Sequence, residues 1–159
     1  MYLHEMSQDG YSPENIGPFH WNMVPWLLSA NQISKDEGIV DIGAGQGHCL
    51  IPLHENGWKK LTAVDVDDFN FSIFKDKYGF NVCKCNISSE KLDLADNSQG
   101  AVISFHLIEH LLEPNNLLNE AHRGLRPGAR IIIVSPDWRK QYKTFWRALS
   151  AVCSCHCLV

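Results

Sequence analysis

Three glycines and two acids are the residues of this chain whose types and spacing first suggest chemistry. The segment Ile39-Val40-Asp41-Ile42-Gly43-Ala44-Gly45-Gln46-Gly47 runs from an apolar stretch through a glycine-rich bend into a helix-like pattern. Glycine permits the left-handed backbone of a tight turn and lets a ligand approach the main chain, and amides at a helix start face outward. A second apolar stretch, Leu61-Thr62-Ala63-Val64, ends in Asp65. An acid about 20 residues beyond such a bend can accept hydrogen bonds from ribose hydroxyls. Bend and acid together point to a nucleoside-bearing ligand at the carboxyl ends of the first two strands.

The dinucleotide fingerprint is G-x-G-x-x-G. In this chain the third glycine comes one place early, at Gly47, and His48 takes the fingerprint position. Asp41 also sets an anion just ahead of the bend, where it would repel a pyrophosphate and attract a cation. S-adenosylmethionine, whose sulfonium and ammonium are both cationic, suits that charge better than NAD does. Short acids in turns also hydrogen-bond loop amides, and the two roles are compatible. The second role alone leaves Asp65 unexplained.

These residues must be held by a scaffold, and the chain supplies one. With 159 residues, 45% hydrophobic and 20% charged, it has the composition of one ordinary globular domain. Residues 1–37 read as an amino-terminal helical or lid segment, broken by Pro13, Pro18 and Pro25, with a helix from about Trp21 to Ala30. In that helix Trp21, Val24, Leu27 and Leu28 share a face. Residues 38–159 read as the core. Apolar, β-prone runs at Gly38–Ile42, Leu61–Val66, Asn81–Cys83, Ala101–Phe105 and Arg130–Val134 alternate with helical stretches at about Gln46–Asn56, Asp68–Lys77 and Asn115–Gly124. Such alternation predicts an α/β fold, a doubly wound and mostly parallel sheet with helices on both faces.

Several ordered motifs resemble the class I S-adenosylmethionine-dependent methyltransferases, in particular the group that includes the ubiquinone- and menaquinone-pathway methyltransferases. Val40 to Gly47 is similar to that family's first motif, and Ala63-Val64-Asp65-Val66 to its ribose-binding segment. Asp96-Asn97-Ser98 with Ala101-Val102-Ile103-Ser104 resembles the entry into its fourth strand. His106-Leu107-Ile108-Glu109-His110-Leu111 and Leu125-Arg126-Pro127-Gly128-Ala129-Arg130 resemble the stretches that follow. The match covers about Ile39 to Pro136.

The resemblance implies a Rossmann-like sheet of five strands in the order 3-2-1-4-5, and an enzyme that transfers methyl groups from S-adenosylmethionine, leaving S-adenosylhomocysteine. A cytoplasmic location is expected separately, because Met1 to Gly10 has no apolar signal-peptide centre. It assigns Asp41, Gly43, Ala44, Gly45, Gln46 and Gly47 to the methionine end, Asp65 with Val66 to the ribose, and Asn86 with Ile87 to the adenine. Asn86 stands where the family has an acid, so it keeps a carbonyl acceptor and loses the charge. Phe105 joins the cofactor set, at the end of the fourth strand. The acceptor is expected to be a small molecule bound above that strand end, where His106 stands. Imidazole ordinarily exchanges its proton near neutrality, so His106 is the candidate base. Lining the donor pocket through its backbone is its other reading. Glu109 and His110 are expected to cap the following turn, and His20, His48 and His54 to be isolated packing or surface residues.

Family members continue to two further strands, and this chain is expected to lack them. The fifth strand would then be an exposed edge, covered by a helix around Tyr142–Val152 or by a partner in a homodimer. A truncated pseudoenzyme or methyltransferase-like binding module is the alternative function, and an NAD-linked oxidoreductase the next.

Other features exclude rather than suggest. A net charge of −4 and a pI near 6.0 give no footprint for nucleic acid. The basic residues Arg139, Lys140, Lys143 and Arg147 read as a solvated helix face, and no apolar run is long enough to span a bilayer. Cys153, Cys155, His156 and Cys157 are spaced too tightly for a zinc site, so no metal is expected.

Overall fold

The computed structural model describes residues 16–136 and the backbone of residues 148–154. Helix α1 (Pro18–Ala30) leads into β1 (Gly38–Ile42), α2 (Leu50–Glu55), β2 (Lys60–Asp65) and α3, one α-helical turn over Phe71–Ile73 that continues as a π-helix over Phe74–Tyr78. Then come β3 (Asn81–Lys84), β4 (Gln99–Phe105), a 3₁₀ turn (Ile108–His110), α4 (Asn115–Gly124), β5 (Leu125–Pro136) and β6 (Ala148–Ser154).

The strands form one sheet in the order β3-β2-β1-β4-β5-β6. The first five are parallel and match the expected 3-2-1-4-5. Their side chains alternate between two cores, which is why the apolar runs are continuous. Ile39, Leu61, Ala63, Ile103, Phe105 and Val134 pack under α1, α2 and α3, whereas Val40, Ile42, Val64, Val102 and Ile131 pack under α4 and the segment after β3. At the strand ends the Ser104 hydroxyl donates to the Ile42 carbonyl at 2.9 Å.

Several expectations need correction. β5 is not an edge, because β6 pairs with it antiparallel from Arg130↔Ser154 to Pro136↔Ala148. One strand beyond the fifth is therefore present, the helix expected around Tyr142–Val152 is strand over Ala148–Val152, and the free edge proposed for a homodimer is taken. Helix α2 starts at Leu50 rather than near Gln46, because the left-handed backbone at Gly45 and Gly47 (φ +50° and +77°) cannot continue a right-handed helix. Pro25 does not break α1. It is buried within the helix with Val24, Leu27 and Leu28, whereas Trp21, a turn earlier, is 37% exposed.

Helix α1 shares its core with β1 and α2, so the described part of the segment expected as a lid packs against the sheet. The basic residues Arg139, Lys140, Lys143 and Arg147 lie outside the described residues, as do Cys155, His156 and Cys157, while of Cys153 only the backbone is described. No helix among the described residues is long and apolar enough to cross a membrane, and no three metal-ligating side chains among them converge.

Candidate functional site

Asp41 and Asp65 end neighbouring parallel strands, and their side chains fall on the α1–α3 face of the sheet with Ile39 and Ala63. Asp41 is 2% exposed, and its Oδ1 has no hydrogen-bond partner. Loss of hydration pushes its carboxyl pKa up to about 8, and repulsion from Asp65 adds to the rise. The thiol of buried Cys49 is driven up as well, by burial first and by the Asp41 charge second. A buried carboxylate oxygen without a donor is costly, and a cationic N–H donor is the partner that would satisfy it.

The glycine bend crosses in front of these acids. The Gly43 and Ala44 amides both donate to the Val64 carbonyl, at 2.8 and 3.0 Å, which ties the bend to β2. At Gly47 a side chain is excluded twice over, by the positive φ and by the Phe74 ring, which a Cβ would meet at 2.7 Å. At Gly45 a Cβ would meet nothing within 4 Å. The main chain there borders open space, as a surface meant for a ligand should.

The Gly45 peptide is held on both sides by residues that follow β2. Its amide donates to Asp65 Oδ2 at 2.8 Å, and its carbonyl accepts from Asn70 Nδ2 at 3.1 Å. Asp65 Oδ1 accepts from the Asp67 amide at 3.1 Å. A carboxylate offers about four acceptor sites, so Asp65 keeps capacity for hydroxyl donors. Asn70 was not singled out in the sequence, because nothing local marks a side chain that reaches back 25 residues.

The remaining candidates are placed unequally. Val66 is 55% exposed beside Asp65, an apolar surface at the end of β2. Asn86 is exposed, with its Oδ1 accepting from the Ser88 amide at 3.1 Å, so its first commitment is to its own turn. Ile87 is 5% exposed and belongs to the α4-side core. Ala44 is buried, and Gln46 Oε1 is buried without a hydrogen-bond partner. Phe105 is buried at the end of β4.

Around Phe105 the structure gathers histidines that are far apart in sequence. The His20 ring from α1 lies 6.5 Å from the Phe105 ring and 5.4 Å from the His48 ring, centroid to centroid. Burial lowers the His20 pKa, and the charges of His48 and His106 lower it further. The expectation that His20 and His48 stand isolated is thus corrected. Only the packing of α1 against the bend brings them together, and the sequence carries no spacing signal for that. His54 does pack, edge-on, against Tyr78 and Phe80.

His106 follows β4 directly, with a left-handed backbone (φ +55°) and an amide that donates to the Val134 carbonyl at 2.8 Å. Its side chain is 45% exposed, and Nδ1 lies 3.6 Å from Oε1 of Glu109, whose side chain is 7% exposed. The cavity of about 340 Å³ bordered by Gln32, Glu37, Gly100, Arg126 and Arg130 lies at the amino-terminal ends of the strands. It is remote from Asp41 and Asp65.

A family model described as a methyltransferase domain matches residues 40–133. The demethylmenaquinone methyltransferase of Paenarthrobacter aurescens is 30% identical over 138 residues, covering 79% of this chain and 52% of that one. The ribosomal protein L11 methyltransferase of Staphylococcus haemolyticus is 28% identical over 95 residues, or 55% of this chain and 30% of that one. The chain thus spans about half or less of the length of these curated relatives. Among solved structures, a SAM dependent methyltransferase from Aquifex aeolicus superposes with a TM-score of 0.66 at 20% identity, covering 85% of this chain and 78% of that one.

Proposed function

This chain belongs to the methyltransferase domain family, and from that premise we propose that it binds S-adenosylmethionine in the cleft between Asp41, Gly45 and Asp65 and transfers the methyl group to a small-molecule acceptor. The observation that carries the reading is the orphaned, buried Asp41 Oδ1 at the floor of an open glycine bend. A phosphate there would face two carboxylates, whereas an ammonium would supply the missing donor.

The residues fit the donor as follows. Asp41 neutralises the amino-acid end, and the main chain of Gly43, Ala44, Gly45, Gln46 and Gly47 wraps it. Asp65 accepts from the ribose hydroxyls while it holds Gly45. Val66 flanks the ribose beside Asp65, Asn86 and Ile87 border the adenine, and Phe105 forms the wall toward the acceptor, with His106 as the candidate base. When bound, the sulfonium supplies an electrophilic methyl carbon, and the protein's main task is then to align the acceptor with it. The demethylmenaquinone methyltransferase, which matches the larger share of this chain, supports the small-molecule class of acceptor.

Parallel calorimetric titrations with S-adenosylmethionine and NADH test the reading. Saturable donor binding with no NADH response is expected. NADH binding without donor binding would replace it with the oxidoreductase.

A further inference from the structure

We propose that Glu109 is the positioning residue for His106, holding its imidazole through Nδ1 so that Nε2 takes the proton of a hydroxyl-bearing acceptor. The inference rests on the methyl-transfer reading above and deepens it.

Glu109 is a buried acid whose situation calls for an account. Its side chain is 7% exposed, its Oε2 has no hydrogen-bond partner, and its Oε1 faces His106 Nδ1 at 3.6 Å. The capping role expected of it is not what it performs. The 3₁₀ turn closes through main-chain bonds, His110 N–H to the Leu107 carbonyl at 2.8 Å, and the start of the turn has no side-chain cap. Buried carboxyl groups are ordinarily satisfied by several donors, so an acid left facing one imidazole acts on that imidazole.

The backbone supports the same role. A left-handed conformation is uncommon outside glycine, and His106 is held in it by the 2.8 Å bond from its amide to Val134 at the end of β5. Strain of this kind gathers at working sites. With Nδ1 toward Glu109, Nε2 is the nitrogen left for an acceptor, and the His20 ring lies 6.5 Å from that of Phe105, the residue before His106. Burial keeps His20 inclined to the neutral form, so it does not compete for the proton as a cation.

The geometry selects the acceptor chemistry. The acceptor oxygen forms its bond to the methyl carbon as the carbon–sulfur bond breaks, with that electron pair going to sulfur. The hydroxyl proton passes to His106 Nε2, and the positive charge lost from sulfur reappears on the imidazolium beside Glu109. A neutral hydroxyl needs this help. Thiols ionise near neutrality by themselves, and neutral amines already present a lone pair.

The test is long-range ¹H–¹⁵N NMR of the full chain saturated with S-adenosylhomocysteine, at a pH where His106 is neutral. The wild type should show the Nδ1–H tautomer, E109A the Nε2–H tautomer, and E109Q, whose amide carbonyl still accepts, a return to Nδ1–H. A wild-type Nε2–H tautomer overturns the proposal without any variant. So does an E109A spectrum identical to the wild type. With S-adenosylmethionine and a panel of phenols, alcohols and thiols, hydroxyl methylation should fall at least tenfold in E109A. Methylation confined to thiols, or no methylated hydroxyl at all, removes the acceptor class. Calorimetry with S-adenosylhomocysteine separates the two readings, since absent wild-type binding sinks the methyl-transfer proposal, whereas intact binding with an unmoved tautomer sinks only this one.

Discussion

The Gly45 amide donates to the Asp65 carboxylate at 2.8 Å across 20 residues of chain. The acid at the end of β2 thereby shapes the bend at the end of β1, and the two sequence signals form one structural unit. A ligand held by either is placed by both.

Asp65→Ala is the first prediction. It removes the proposed ribose acceptor and releases Gly45, and it should cost roughly 1–3 kcal/mol of S-adenosylmethionine affinity, the range for lost charge-assisted hydrogen bonds. Calorimetry checks it, and unchanged affinity takes Asp65 out of the site.

Two glycine substitutions should separate folding from binding. Gly47→Ala meets both a positive φ and a Phe74 ring atom at 2.7 Å, and should destabilise by about 2–4 kcal/mol. Gly45→Ala has open space and only the backbone penalty of about 1–2 kcal/mol, so its larger effect should be on donor affinity. Urea denaturation and donor titration of both variants give the comparison. Equal destabilisation would refute it.

Asp41 gives the free protein a pH dependence. Its folded pKa of about 8 lies above the ordinary 3.8, so between those values the folded state binds more protons than the unfolded one. Stability therefore falls as pH rises through that window, by up to roughly 6 kcal/mol. Asp41→Asn should abolish the slope, be the more stable protein at pH 8, and bind the donor less well. In the wild type, donor affinity should rise with pH toward 8, because the cation selects the ionised acid. Denaturation at pH 5 and pH 8 decides the matter, and parallel slopes would contradict it.

Arg123 anchors the approach to β4. Its guanidinium donates to the Leu92, Leu94, Asp96 and Glu120 oxygens while only 18% exposed. Arg123→Ala should cost about 2–3 kcal/mol, read by thermal unfolding, with donor affinity near that of the wild type. A change below 0.5 kcal/mol, the scale of ordinary surface substitutions, would contradict it.

Local pattern made the parallel sheet, the bend and Asp65 legible, because each depends on residues adjacent in sequence. Strand β6 was missed because an Ala-Leu-Ser-Ala-Val-Cys-Ser stretch suits helix or strand alike, and its pairing with β5 decides. The early start assigned to α2 ignored the conformation that Gly47 must take. The histidine group and the Asn70 contact arise only when α1 and α3 pack on the bend, which no spacing encodes. Glu109 was visible as a residue, but its burial was not.

The most direct measurement is a crystal structure with S-adenosylhomocysteine. The ligand's ammonium is expected beside Asp41, its amino-acid chain along Gly43–Gly47, and its ribose hydroxyls on Asp65. A ligand seated elsewhere, or a pyrophosphate group occupying that cleft, would contradict it.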